Sequence, residues 1–300
     1  GEEMAGLAGR LRSLVDSHCH MHDHVERLAT VGKVGVGVLA LMGVHPENWA
    51  LLTEAMRIAS VDAQADGDCV RLIPCYGLHP WFAHEHLPPE GSTEAPAWFP
   101  LLREQLLMTP NAAVGEVGLD KVARSQGGKG TRKEMWRGQM QALELQLGLA
   151  AELRRPVSMH CVKATGGFYE WARSAVKKGR PLPPAIALHS YGGSPEMVLA
   201  FSKLKGAECR FYFGFSAAIN LRNSTVEAVS ANMRACPEDR ILLETDVDDT
   251  EGSEQLLVDI YEVLAEARGW SLDETVERVQ ANSRNFFGSC WPCPAQEPSA

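Results

Sequence analysis

Eight short apolar runs of β-forming residues recur along this 300-residue chain, and segments of helical character follow most of them. They are SLVDSHCH (13–20), VGVLALMG (36–43), RLIPCYGLH (71–79), AAVGEVGLD (112–120), PVSMHCV (156–162), PAIALHSYGG (184–193), CRFYFGFSA (209–217) and ILLETD (241–246). Several are almost continuously apolar, as strands buried on both faces of a parallel sheet are. The clearest helical segment is TRKEMWRGQMQALELQLGLAAELRR. In it Trp136, Met140, Leu143, Leu147 and Ala151 recur at helical spacing as a core-facing stripe, and Pro156 stops the helix. NWALLTEAMRIASV, SPEMVLAFSKL and EQLLVDIYEVLAEA follow the same pattern. Strand and helix alternating eight times predict an α/β fold of one kind, a single (β/α)8 TIM barrel. The expected organisation is an N-terminal extension over 1–12, the barrel over 13–288 and a flexible tail over 289–300.

Composition narrows the function classes. With 45% hydrophobic and 22% charged residues the chain is ordinary for a globular protein, and no apolar run is long enough to span a membrane. The opening GEEMAGLAGRLRSLVD lacks the order of a signal peptide, so the expected location is the cytoplasm, with the nucleus also open. The eight cysteines are scattered, mostly in apolar segments where free Cys behaves as a small hydrophobe. Cys290 and Cys293 form the one close pair, without the second pair of ligands that a zinc site needs. A formal net charge of −9 argues against general affinity for nucleic acid or anionic membranes. It leaves room for a nucleic-acid enzyme in which bound metal ions supply local positive charge.

Polar residues interrupt the apolar runs nearly always at the C-terminal end. The first run ends in His18 and His20, the third in His79, and the fourth carries Glu116 and Asp120. The fifth ends in His160, the sixth holds His189, and the eighth ends in Glu244 and Asp246. In a strand, side chains alternate faces, so His18 and His20 point the same way and Cys19 the other. In a (β/α)8 barrel all these ends meet on the rim that carries active sites. His18, His20, Glu116, His160, His189 and Asp246 make a mixed nitrogen and oxygen donor set suited to zinc, manganese or iron. Six donors exceed what one tetrahedral ion uses. The economical reading is two ions about 3.5–4 Å apart, bridged by a carboxylate and sharing an acidified water. Such a centre hydrolyses a phosphate ester or an amide.

DSHCHMH, GLHP, GEVGLD, PVSMHC, LHSYGGS, LLETD and ANSRNFFG resemble, in order and spacing, the motifs of TatD-like metal-dependent deoxyribonucleases. The resemblance runs from about Val15 to Gly288. It implies a metallo-dependent hydrolase barrel, commonly a 3′-to-5′ exonuclease on DNA, with RNA also open as substrate. Carried over by position, it implies that His18, His20 and Asp246 hold one divalent ion. His160 and His189 hold the other, with Glu116 bridging. It further implies that His79 contacts the substrate phosphate and that Asp246 takes a proton from the attacking water. Asp120 and Glu244 are expected to orient ligand histidines, which need an acceptor on the far ring nitrogen. The metal could be Zn, Mg, Mn or Fe.

The chain departs from the family pattern in two places. An aromatic residue often follows GEVGLD, whereas Lys121 stands here, opening the glycine-rich basic segment KVARSQGGKGTRK. Lys121, Arg124, Lys129, Arg132 and Lys133 are candidates to grip a nucleic-acid backbone there. His22 and His24 also exceed the usual pattern, as residues of the site mouth or of the plain surface. Two rival functions stand beside the nuclease. One is a related hydrolase of small amides, lactones or phosphotriesters, which often bridges its metals with a modified lysine where this chain has Glu116. The other is a TatD-like scaffold that binds a partner protein, which has no physical need for six intact ligands.

Overall fold

The strands in sequence order are β1 (Val15–Cys19), β2 (Val38–Met42), β3 (Arg71–Tyr76), β4 (Ala113–Asp120), β5 (Val157–Val162), β6 (Ala185–Leu188), β7 (Arg210–Ser216) and β8 (Ile241–Glu244). They form one eight-stranded sheet in the order β1 to β8, and each neighbouring pair is parallel. These positions come from a computed structural model that describes residues 7, 9–66, 69–88, 94–124, 131–204 and 208–292. The sheet curls until β8 meets β1: the Asp246 amide donates to His18 O at 2.9 Å and the His20 amide to Val247 O at 2.8 Å. This is the (β/α)8 barrel that the alternation of elements predicts.

The longer helices are α1 (Pro46–Asp66), α2 (Trp98–Met108), α3 (Arg132–Glu152), α4 (Thr165–Lys177), α5 (Pro195–Ser202) and α6 (Val226–Ala235), which fill the crossovers from β2 to β8, and α7 (Ser253–Arg268) and α8 (Leu272–Phe287), which follow β8. Thr131 caps α3 in a reciprocal box with Glu134, which satisfies two otherwise orphaned backbone donors.

Period-two alternation divides the core. Val38, Ala40 and Met42 of β2 face the barrel interior with Ile73, Ala113, Ala187 and Leu242. Leu39, Leu41, Ile186, Leu243 and Cys19 face the helices. Phe286 and Phe287, from the end of α8, close the interior at the end away from the rim, with Phe286 5.2 Å from the Tyr212 ring. The NFFG motif is thus a floor. The chain stays packed beyond it: Cys290 is fully buried with its thiol on Ala112 O at 3.1 Å, and Arg71 and Arg284 flank the Trp291 ring. The expected tail is therefore ordered through Trp291; Cys293 and residues 294–300 lie outside the described residues. Among the described residues no helix is long and apolar enough to cross a membrane.

Candidate metal centre

The apolar runs of the sequence extend past the strands, and the overhang carries the site. β1 ends at Cys19, β6 at Leu188 and β8 at Glu244, so His20, His189 and Asp246 stand on the first residues of the rim loops. Register shifts in the β1–β2 ladder between Asp16 and Cys19, and in β4–β5 between Val114 and Val117, span His18 and Glu116. Irregularities of this kind re-aim side chains at active sites. Ser190 and Asp246 adopt positive φ, 40° and 58°, and are joined by Ser190 Oγ donating to Asp246 Oδ2 at 2.8 Å. Such backbone costs of order 1–3 kcal/mol per residue and persists where surrounding contacts enforce it.

All six expected ligands converge. One carboxylate oxygen of Glu116, Oε2, lies 3.2 Å from His20 Nε2 and 3.4 Å from His18 Nε2. Its other oxygen, Oε1, lies 2.8 Å from both His160 Nδ1 and His189 Nε2. Asp246 Oδ1 is 3.6 Å from the Nε2 atoms of His18 and His20, and His189 stacks on His18 with ring centroids 3.8 Å apart. His79 joins them, its Nε2 3.1 Å from Glu116 Oε1, which puts it as near the carboxylate as the expected ligands are.

The donor set fits metal. His18 and His20 face each other Nε2 to Nε2 at 3.3 Å, and His160 Nδ1 faces His189 Nε2 at the same distance. Among the described residues, three donor groups are compact enough to share an ion: His18 with Glu116 and His189, His18 with His20 and Asp246, and His79 with Glu116 and His160. The electrostatics agree. Burial resists ionisation of Glu116, but His79, His189 and His18 outweigh it and hold the carboxyl well below its ordinary range. Asp246 is held down in the same way, burial being overcome by His189, His20 and His18. Burial pushes His79 down to about 4. It is a neutral ring, and its Nδ1 accepts the Trp81 amide at 3.2 Å.

The two carboxylates expected to orient ligand histidines stand near the far ring nitrogens without hydrogen-bonding to them. Asp120 Oδ2 lies 3.5 Å from His160 Nε2, and Glu244 Oε1 lies 3.7 Å from His189 Nδ1. Other supports were not legible in the sequence reading. Ser158 Oγ is 2.8 Å from His18 Nδ1, and Trp81 Nε1 donates to Asp120 Oδ2 at 2.8 Å. Gln139 of α3 brackets Asp120 by accepting from its N–H and donating to its C=O. Gln146 treats Leu78, beside His79, in the same way. A signal existed for Ser158 alone: it precedes His160 by two residues on β5 and so shares its inward face.

The remaining candidates stand apart from the cluster. His22 is buried with Nε2 3.3 Å from Asn48 Oδ1, and His24 sits on the surface 3.0 Å from Asp248. Neither donates to the metal cluster. Lys121, Arg124, Arg132 and Lys133 are exposed, and Lys121 lies over the Trp136 ring at 5.7 Å. Lys129 lies outside the described residues.

Comparison with known proteins places this geometry. The profile of the family described as TatD related DNase matches residues 15–288. The Schizosaccharomyces pombe protein named Cut9-interacting protein scn1 is 27% identical over 92% of this chain and 99% of its own. The Edwardsiella piscicida protein named 3′-5′ ssDNA/RNA exonuclease TatD is 31% identical over 57% of this chain and 55% of its own. Among solved structures, the TatD homolog YJJV of Escherichia coli superposes with a TM-score of 0.64 at 21% identity, covering 92% of this chain and 98% of that one. The family and the donor clusters together point to divalent metal binding. The chain belongs to the TatD related DNase family and is a hydrolase acting on ester bonds.

Proposed function

We propose that this hydrolase is a nuclease that cleaves DNA phosphodiesters from the 3′ end, using two divalent ions. The observation that carries the proposal is the Glu116 carboxylate, which turns one oxygen to His18 and His20 and the other to His160 and His189. A bridging ligand has that disposition. In this reading His18, His20 and Asp246 hold one ion, and His160 and His189 hold the other, with Zn, Mg, Mn or Fe as candidates. Bound divalent ions supply Lewis acidity and an acidified water for in-line attack on phosphorus. Asp246 accepts the proton of the attacking water, and Ser190 Oγ fixes the carboxylate's other oxygen meanwhile. Neutral His79, with Nδ1 engaged by the Trp81 amide, carries its proton on Nε2, and that N–H, which faces Glu116 Oε1 at 3.1 Å, would serve a phosphate oxygen once Glu116 holds metal. Asp120 and Glu244 orient His160 and His189. Lys121, Arg124, Lys129, Arg132 and Lys133 contact the substrate backbone outside the centre. Cytoplasm or nucleus is the proposed location, and the described cysteines are all free thiols there.

The name of the fission-yeast relative refers to a protein partner. The intact donor set here favours catalysis, since a pure scaffold has no use for it.

The test is cleavage of labelled oligonucleotides by chelator-stripped protein reloaded with each candidate metal. The expected product is a ladder from the 3′ end that chelator abolishes. Glu116→Ala should lose that activity and keep its far-UV circular dichroism, because the barrel core, not the ligand, holds the fold. Full turnover by Glu116→Ala at saturating metal would remove the bridge, and no chelator-sensitive cleavage by wild type would remove the nuclease.

A further inference from the structure

Trp81 is a large apolar side chain left 42% exposed beside a buried polar centre. It is also held in place. Its indole N–H is bonded to Asp120, and its ring meets His79 at 84° with centroids 4.8 Å apart. The His160 ring is 6.1 Å away, and the Trp81 backbone amide is tied to His79 Nδ1. The indole is therefore fixed against two rings of the proposed catalytic cluster while much of it stays open to solvent. Asp120, which holds the indole, also lines a cavity of about 230 Å³ together with Lys121, Arg132, Met135, Trp136 and Gln139.

Charge sharpens what such a surface is for. A chain with net charge −9 repels a polyanion at long range, so cations alone give a weak hold. Stacking on an aromatic face needs no charge, accepts any base, and is insensitive to the salt that weakens phosphate contacts. A pre-set indole also loses little conformational entropy on binding.

We propose that Trp81 is the platform on which an unpaired nucleobase next to the scissile phosphate stacks, and that the neighbouring cavity receives the adjoining phosphate at Lys121 and Arg132. The proposal rests on the nuclease reading and adds a specificity-determining residue to it. A stacked base must leave its duplex partner, so the platform selects single-stranded or frayed 3′ ends.

Steady-state kinetics test it on single-stranded oligonucleotides that differ only by a tetrahydrofuran abasic residue at the terminal or penultimate 3′ position. Wild type should show a KM about ten-fold higher on one of the abasic oligonucleotides, the low end for loss of one stacked base. Trp81→Leu should raise KM on the intact oligonucleotide by a similar factor, at low and high salt alike. On that abasic oligonucleotide its KM should match that of wild type. Trp81→Phe, which keeps a ring but loses the bond to Asp120 that pre-sets it, should raise KM on the intact oligonucleotide by less than Trp81→Leu does. Equal KM losses for Trp81→Leu on intact and abasic substrates, or no loss on either, would overturn the platform while leaving the nuclease standing. Absence of chelator-sensitive cleavage of every oligonucleotide by wild type would overturn the nuclease reading and the platform with it.

Discussion

Asp16 lies fully buried beneath the proposed ligands, and its carboxylate accepts the amides of His18 and Thr245 and the Thr245 hydroxyl. Burial outweighs those bonds and raises its pKa to about 7. Below about pH 4 both folded and unfolded chains hold this proton. Between there and pH 7 only the folded chain holds it, so stability falls as pH rises; above pH 7 the cost is constant, on the order of 4 kcal/mol. Asp16→Asn is therefore expected to be near neutral at pH 4 and to gain on wild type up to pH 8, read from urea melts of metal-free protein. A constant difference across that range would contradict the assignment. Ser158→Ala frees the Nδ1 side of His18 and should weaken metal affinity about 10- to 100-fold, measured by competition with a chromophoric chelator. Unchanged affinity would leave Ser158 without a positioning role. These two residues also mark the limit of the sequence. His18, Glu116 and Asp246 are readable because ionisable donors break an apolar pattern, and barrel topology then brings them together. Asp16 and Ser158 sit inside their strands, and their roles depend on which neighbour the closed barrel sets against them.

The helix after β4 shows the same division among elements. Its position follows from the apolar period, but the stripe Trp136, Met140, Leu143, Leu147, Ala151 is only partly the buried one. Leu143 and Leu147 are buried with Met135, Gly138, Gln139, Ala142 and Gln146, whereas Trp136, Met140 and Ala151 lie at the margin. Two glutamines in the packed face look like a defect in an apolar pattern. They are there to bracket Asp120 and Leu78, a demand that no helical period expresses. Glycines divide likewise. Gly118 of β4 has φ +151° and a Cβ there would fall 2.0 Å from His160 O, while Gly148 of α3 is exposed with open space around it. Gly148→Ala should raise stability by about 0.5–1 kcal/mol through helix propensity. Gly118→Ala should lower the melting temperature strongly by forcing β4 from β5 at a ligand. Equal shifts in thermal melts of the two variants would refute this distinction.

At the scale of the whole molecule, stability and chemistry occupy opposite ends of the barrel. The floor is Phe286, Phe287, Tyr212 and Cys290, and the donors are on the rim. Phe287→Ala should cost about 3–5 kcal/mol of stability, the range for deleting a buried aromatic ring, while KM and kcat at permissive temperature stay near wild type. A large rise in KM would mean that floor and rim are coupled. The alternation of eight strands made the barrel legible before any contact was known. The packed turn at Gly288–Cys290 was not, because its three small residues, with prolines following at 292 and 294, resemble a loose end. What everything else rests on is that the rim donors form a two-ion centre. The most direct test is metal stoichiometry by elemental analysis of protein equilibrated with each candidate metal and freed of excess. The account predicts two ions per chain for the supporting metal in wild type, with at least one lost in Glu116→Ala. One ion or none in the active wild-type protein would contradict it.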